Sequence, residues 1–330
     1  MKNTIAASLT LLFLVVSAQS KINGLSFVAS NNIITNGAIQ HVVNLHANWV
    51  ALMPFAFMKS EEDTTIIYNS KRQWWGETKI GIAKTANAFH DKKCQVMLKP
   101  QIWIQRGGFT GNISMITDRN WAAFENNYER FILDYAQVAA DNSIEIFCIG
   151  TELNKFVVAR PAFWKLLIAK IKNIYKGKIT YAENWDTYKN VSFLASLDYI
   201  GIDAYFPLSK NVTPSVKTLR SAWQPLKTEI YKLSLKYKKP ILFTEFGYQS
   251  KDYAVDQPWN HQSNGNVNLS IQCNGLQALF AEFWTEKWFA GGFLWKWYDN
   301  NEQAGGSFDT DYTVQNKPAE KLVQKVYKKS

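Results

Sequence analysis

Two glutamates carry the strongest chemical signal in this sequence. Residues 241–245 read Ile-Leu-Phe-Thr-Glu, an apolar run entered from Pro240, closed by Thr244-Glu245 and broken by Gly247. Residues 144–152 read Ile-Glu-Ile-Phe-Cys-Ile-Gly-Thr-Glu, a second apolar run that closes the same way, at Thr151-Glu152. Short apolar runs bounded by chain breakers are how buried parallel strands read. A carboxylate at the C-terminal end of such a strand sits where a βα barrel does its chemistry. Two carboxylates at the mouths of two barrel strands are what glycoside hydrolysis requires.

Around this pair lie further candidates. Lys99 interrupts an apolar run, and a lone buried charge is too costly to persist. It must pair with a barrel carboxylate or reach a sugar hydroxyl. Glu183 and Asp203 read as inward-facing structural partners, and Asp186 as a possible sugar contact. Tyr205 ends a strand run, from which its hydroxyl would reach Glu245. Trp103, Trp185 and Trp297 also fall at strand ends. Fifteen per cent of the residues are aromatic, with 13 Trp; rings at strand ends suit a groove that stacks on pyranose faces.

These residues need a scaffold that brings distant strand ends together. The pattern predicts strands over residues 22–29, 49–57 (bent at Pro54), 95–103, 144–152, 178–185, 197–205, 241–245 and 291–297. Helical patterns cover 39–46, 78–92, 121–140 (N-capped by Asp118 or Asn120), 161–175, 221–237, 274–288 and 318–327. Eight strands alternating with helices over about 300 residues predict a single (β/α)8 barrel. A doubly wound sheet would need a glycine-rich phosphate turn after the first strand, and Asn23-Gly24-Leu25-Ser26 does not supply one. The strand-free stretch 248–270 is expected to overhang the mouth.

The remaining features bound the function. Net charge is +10, but the lysines are scattered through helical segments. That reads as a solvated shell rather than a nucleic-acid surface. Cys94, Cys148 and Cys273 make no disulfide framework. The four histidines lack metal-ligand spacing, and Asp309 with Asp311 lacks the rest of a calcium loop, so no cofactor or metal is expected. Residues 1–18 combine Lys2, an apolar stretch over 5–16 and small residues before Gln19, the pattern of a signal peptide. The expected mature chain, residues 19–330, is one catalytic barrel, secreted or periplasmic, monomeric and without a membrane partner.

Six segments in order carry a family resemblance: Trp49-Val50-Ala51-Leu52-Met53-Pro54-Phe55, Met97-Leu98-Lys99-Pro100, Gly150-Thr151-Glu152-Leu153, Gly201-Ile202-Asp203-Ala204-Tyr205-Phe206-Pro207, Thr244-Glu245-Phe246-Gly247-Tyr248 and Gly291-Gly292-Phe293-Leu294-Trp295-Lys296-Trp297. On them the chain resembles glycoside hydrolase family 113, the β-mannanases of clan A. The resemblance implies a retaining endo-β-1,4-mannanase acting on β-mannan, with Glu152, ending the fourth strand, as acid/base and Glu245, ending the seventh, as nucleophile. It also implies that Trp297 floors the subsite beside the scissile bond. Most of the clan carries Asn before the acid/base, where it binds the sugar 2-hydroxyl; this chain has Thr151. Asn184 is the candidate for that contact. A cellulase or exo-acting enzyme on the same barrel remains an alternative, and a non-catalytic glycan-binding barrel is the reading from another class.

Overall fold

A computed structural model describes residues 20–71, 73–262 and 264–329. The expected signal peptide, residues 1–18, lies outside the described residues. Among the described residues ten strands form: β1 Ile22–Phe27, β2 Trp49–Leu52, β3 Phe55–Met58, β4 Gln95–Leu98, β5 Gln101–Ile104, β6 Ile146–Thr151, β7 Lys178–Asn184, β8 Ile200–Asp203, β9 Ile241–Phe246 and β10 Phe289–Trp297. Eight close into a parallel barrel in the order β1-β10-β9-β8-β7-β6-β4-β2. Helices α1 Asn36–Asn44, α2 Lys79–His90, α3 Asp118–Asp141, α4 Asn154–Ala159, α5 Pro161–Ile174, α6 Val216–Tyr237, α7 Leu269–Phe283 and α8 Pro318–Tyr327 accompany them. This is a (β/α)8 barrel.

Most barrel strands are buried on both faces, which is why several of them, β2 and β6 among them, read as near-continuous apolar runs. Their alternation sorts side chains into two layers. Trp49, Ala51, Met97, Ile146, Cys148, Leu242 and Phe293 fill the lumen. Val50, Leu52, Val96, Leu98, Phe147, Ile149 and Phe243 pack outward under the helices.

Several predicted boundaries move. The stretches 49–57 and 95–103 are each two strands, not one. Pro54 and Pro100 lack the N–H a ladder needs. Beyond them β3 and β5 leave the barrel and pair with each other as a small parallel sheet, Phe55 facing Gln101 and Phe57 facing Trp103. Helix α3 is capped by Thr117, whose side chain accepts from the Asn120 backbone N–H, rather than by Asp118 or Asn120. Helix α7 starts at Leu269, not 274, because Asn268 caps it by accepting from Ile271 N–H. Between β7 and β8 two short 3-10 turns, Tyr188–Asn190 and Leu194–Ser196, stand in place of a helix.

Three strands carry a register shift near the mouth. Cys148 pairs with Thr180 but Thr151 with Ala182, so β6 fits three residues against two of β7. Ile202 pairs with Phe243 but Asp203 with Glu245, so β9 gains a residue at Thr244. Leu25 pairs with Leu294 but Phe27 with Trp297, so β10 gains one against β1. A bulge of this kind re-aims every side chain beyond it. Strict alternation from Leu242 would turn Glu245 outward and Phe246 inward; instead Phe246 joins the outer layer and Glu245 meets the lumen.

Candidate active site

Glu245 is 7% exposed and its carboxylate is gripped from three sides. Lys99 Nζ donates to Oε1, Gln101 Nε2 donates to the same oxygen at 3.3 Å, and Tyr205 OH donates to Oε2 at 2.8 Å. Lys99 comes to this position by alternation from Met97, two residues back on the lumen face. It is wholly buried and pairs with both Glu245 and Asp203, so the carboxylate reading of Lys99 holds. Burial alone would lower the Lys99 pKa, but Asp203 and then Glu245 outweigh it and hold the ammonium above its usual range. One charged donor and two neutral ones thus hold the Glu245 carboxylate oxygens in place.

Glu152 is placed differently. It follows β6 with φ 52°, a left-handed conformation uncommon for a residue with a side chain. Strained backbone of this sort persists only where its surroundings hold it. Here Glu152 N–H donates to Ala182 O at 2.8 Å and the next N–H, of Leu153, donates to Tyr181 OH at 2.8 Å. Tyr128 OH, donating to Ile149 O at 2.9 Å, steadies the strand from behind. Among the described residues none hydrogen-bonds the Glu152 carboxyl. Burial first, and then the charges of Asp203 and Glu245, push its pKa well up. Two carboxyls in one mouth thus meet different surroundings: Glu245 is bonded by three donors, while Glu152 is pushed toward its acid form.

Asp203 and Glu183 are structural partners by their contacts. Asp203, 1% exposed, accepts from Lys99 at 3.3 and 3.4 Å and from Thr244 Oγ1 at 2.7 Å. Glu183, 1% exposed, accepts from Asn184 N–H at 3.0 Å, Thr187 Oγ1 at 2.9 Å and Tyr181 OH at 3.0 Å, which knots the turn after β7. Asn184 Oδ1 accepts from Trp185 N–H at 2.9 Å, and Asp186 is exposed.

The aromatics divide. Trp103 is 56% exposed on β5 and meets Phe55 edge to face. Trp185 stacks on Trp259, centroids 4.9 Å apart and planes 25° apart. Trp297 is a correction: it is 1% exposed and packs in the outer layer, where a sugar cannot reach it. The β10 bulge is the reason. Trp295, two residues earlier, is the half-buried ring packed on the lumen cluster.

Sequence reasoning missed Gln101, Trp295, Trp259 and Tyr312. The last supports Tyr205 edge-on at 6.0 Å and donates to Pro258 O. Gln101 had a weak signal, a polar residue two positions after the inward Lys99. Trp259 and Tyr312 had none, since loops far apart in sequence bring them in.

The sequence profile of glycoside hydrolase family 113 matches residues 31–317. No curated protein matches the chain. Among solved structures, a family-113 β-mannanase from Alicyclobacillus acidocaldarius, in complex with ManMIm, aligns with TM-score 0.83 at 27% identity, over 95% of this chain and 99% of that one. A family-113 β-1,4-mannanase, also solved as a complex, gives 0.82 at 21%, over 94% and 100%. A family-5 mannosidase from Rhizomucor miehei, in complex with mannosyl-fructose, gives 0.62 at 12%, over 94% and 92%. The last two are likenesses of fold.

Proposed function

The chain belongs to glycoside hydrolase family 113, and from that premise we propose that this hydrolase cleaves β-1,4-mannan internally, with retention of configuration. Glu245 attacks the anomeric carbon while the glycosidic C–O bond breaks and Glu152 gives its proton to the leaving oxygen. Glu245 is then an ester and the charge has moved to Glu152. In the second step Glu152 takes a proton from water, the water oxygen bonds to the anomeric carbon, and the ester bond returns its electrons to Glu245. Both carboxyls end as they began.

One observation carries the assignment of roles: Glu245 is bonded by an ammonium and two neutral donors, whereas the Glu152 carboxyl has no such partner among the described residues and is held toward its protonated form. A nucleophile must be ionised and an acid must be protonated. The mannan assignment is supported by the family and by what the β-mannanase from Alicyclobacillus acidocaldarius is named for. Internal cleavage, and export directed by residues 1–18, complete the proposal. Proton NMR of the first sugar released from mannohexaose tests the mechanism: the β anomer precedes mutarotation. The α anomer first would mean inversion, with carboxyls about 6.5–9.5 Å apart, and would remove Glu245 as nucleophile.

A further inference from the structure

Lys99 serves two anions at once. Its ammonium lies between Glu245 and Asp203, with no exposed side-chain surface. Asp203 is closed off from the cleft, and its bonds go to Lys99 and Thr244. Its hydrogen-bonded route to the reacting carboxylate runs through Lys99, beside the direct influence of its charge on Glu152.

The double-displacement reading, on which this inference rests, removes one of the two anions in every turnover. When Glu245 bonds to the anomeric carbon, its negative charge is gone and Lys99 loses its nearest counter-ion. A buried ammonium left without a partner is strongly destabilising. Glu152 gains the charge in the same step, but among the described residues it makes no hydrogen bond to Lys99. Asp203 does, and its contacts at 3.3 and 3.4 Å are longer than the roughly 2.7–2.9 Å of a charge-assisted bond. The ammonium has slack to close toward it.

We propose that Asp203 is a positioning residue that takes over as the counter-ion of Lys99 while Glu245 is esterified, and so stabilises the glycosyl-enzyme and the transition state leading to it. The electrostatics agree. Burial, and then Glu245, push the Asp203 carboxyl up to about 7, while Lys99 and Thr244 pull it down. Esterification of Glu245 removes one of the two raising influences, which favours the Asp203 carboxylate in the state that needs it.

The experiment separates the two steps. With 2,4-dinitrophenyl β-mannobioside, stopped-flow release of the phenolate reports glycosylation. Reactivation of enzyme trapped with the corresponding 2-fluoro mannosyl fluoride reports deglycosylation. Asp203→Asn is expected to slow glycosylation about 10²-fold and leave reactivation as fast as in the parent or faster. In a Lys99→Met background the same substitution is expected to add far less, leaving only the direct influence of its charge on Glu152. Thr244→Val, a near-isosteric change that frees Asp203 from its hydroxyl partner, should show the same asymmetry to a smaller degree even if Asp203→Asn does not fold. Equal slowing of both steps, slowed reactivation, or an undiminished Asp203→Asn effect without Lys99 would overturn the proposal. If the parent enzyme forms no covalent adduct at all, the double-displacement reading fails first, and that outcome is distinguishable by mass spectrometry of the trapped protein.

Discussion

Glu152 and Glu245 share one mouth yet meet opposite surroundings, and single substitutions can read that difference. Glu245→Ala is expected to abolish turnover, with azide restoring it as a glycosyl azide of inverted configuration. Glu152→Ala should lose about 10²–10⁴-fold on unactivated mannan but keep the first step on aryl mannosides whose leaving group needs no proton. Equal losses on both substrates would undo the separate roles. The raised Glu152 carboxyl has two pH signatures. Activity requires its proton, so the basic limb of kcat/KM should lie above the ordinary carboxylate range and disappear in Glu152→Gln. A carboxyl whose folded pKa exceeds its unfolded value of about 4.3 costs stability as pH rises past that value, in full above the folded pKa. Glu152→Gln should therefore melt higher than the parent at pH 7, and the gap should shrink toward pH 4. Thermal melts at the two pH values check the sign.

At the scale of elements, the bulges decide which side chains face the barrel mouth. β10 carries two tryptophans two positions apart, which simple alternation would put on one face. One extra residue sends Trp295 to the lumen and Trp297 into the layer beneath the helices. The two should fail differently. Trp297→Ala removes a fully buried ring and is expected to cost about 3–5 kcal/mol of stability with little change in KM. Trp295→Ala should cost less stability and weaken turnover of mannohexaose. Denaturant unfolding and steady-state kinetics on the pair decide it, and the reverse pattern would put Trp297 back in the cleft. Gly291, with φ 125°, shows how tightly β10 is held: a Cβ there would lie 2.3 Å from the Ile22 carbonyl oxygen.

The whole molecule sets the choice of sugar. Mannose and glucose units differ at the 2-hydroxyl, beside the reacting carbon, where contacts strengthen in the transition state. Thr151 replaces the Asn that the clan uses there, and its hydroxyl is buried without a partner among the described residues. A site built to bond an axial hydroxyl leaves a buried group unsatisfied with the equatorial one, which costs orders of magnitude in rate. On this ground kcat/KM for mannohexaose should exceed that for cellohexaose by at least about 10²-fold. Comparable rates would remove the mannan specificity and leave the retaining mechanism standing.

What was legible in the sequence was local. A strand buried on both faces favours an apolar run, so eight strands rich in apolar residues, the barrel and the carboxylates at two of their ends could be read residue by residue. Lys99 was legible too, because a charge inside such a run demands a partner. Prolines 54 and 100 were visible, but their effect, diverting β3 and β5 into their own sheet, depends on the two strands leaving the barrel side by side. Rim orientation was hidden for a physical reason: a bulge adds one residue without changing composition, and where it falls depends on the register of the neighbouring strand. Tertiary structure alone therefore turned Glu245 inward and Trp297 outward. It also brought Gln101 to Glu245 across 144 positions, set Trp259 on Trp185 and placed Asp203 opposite Glu245 with Lys99 between them.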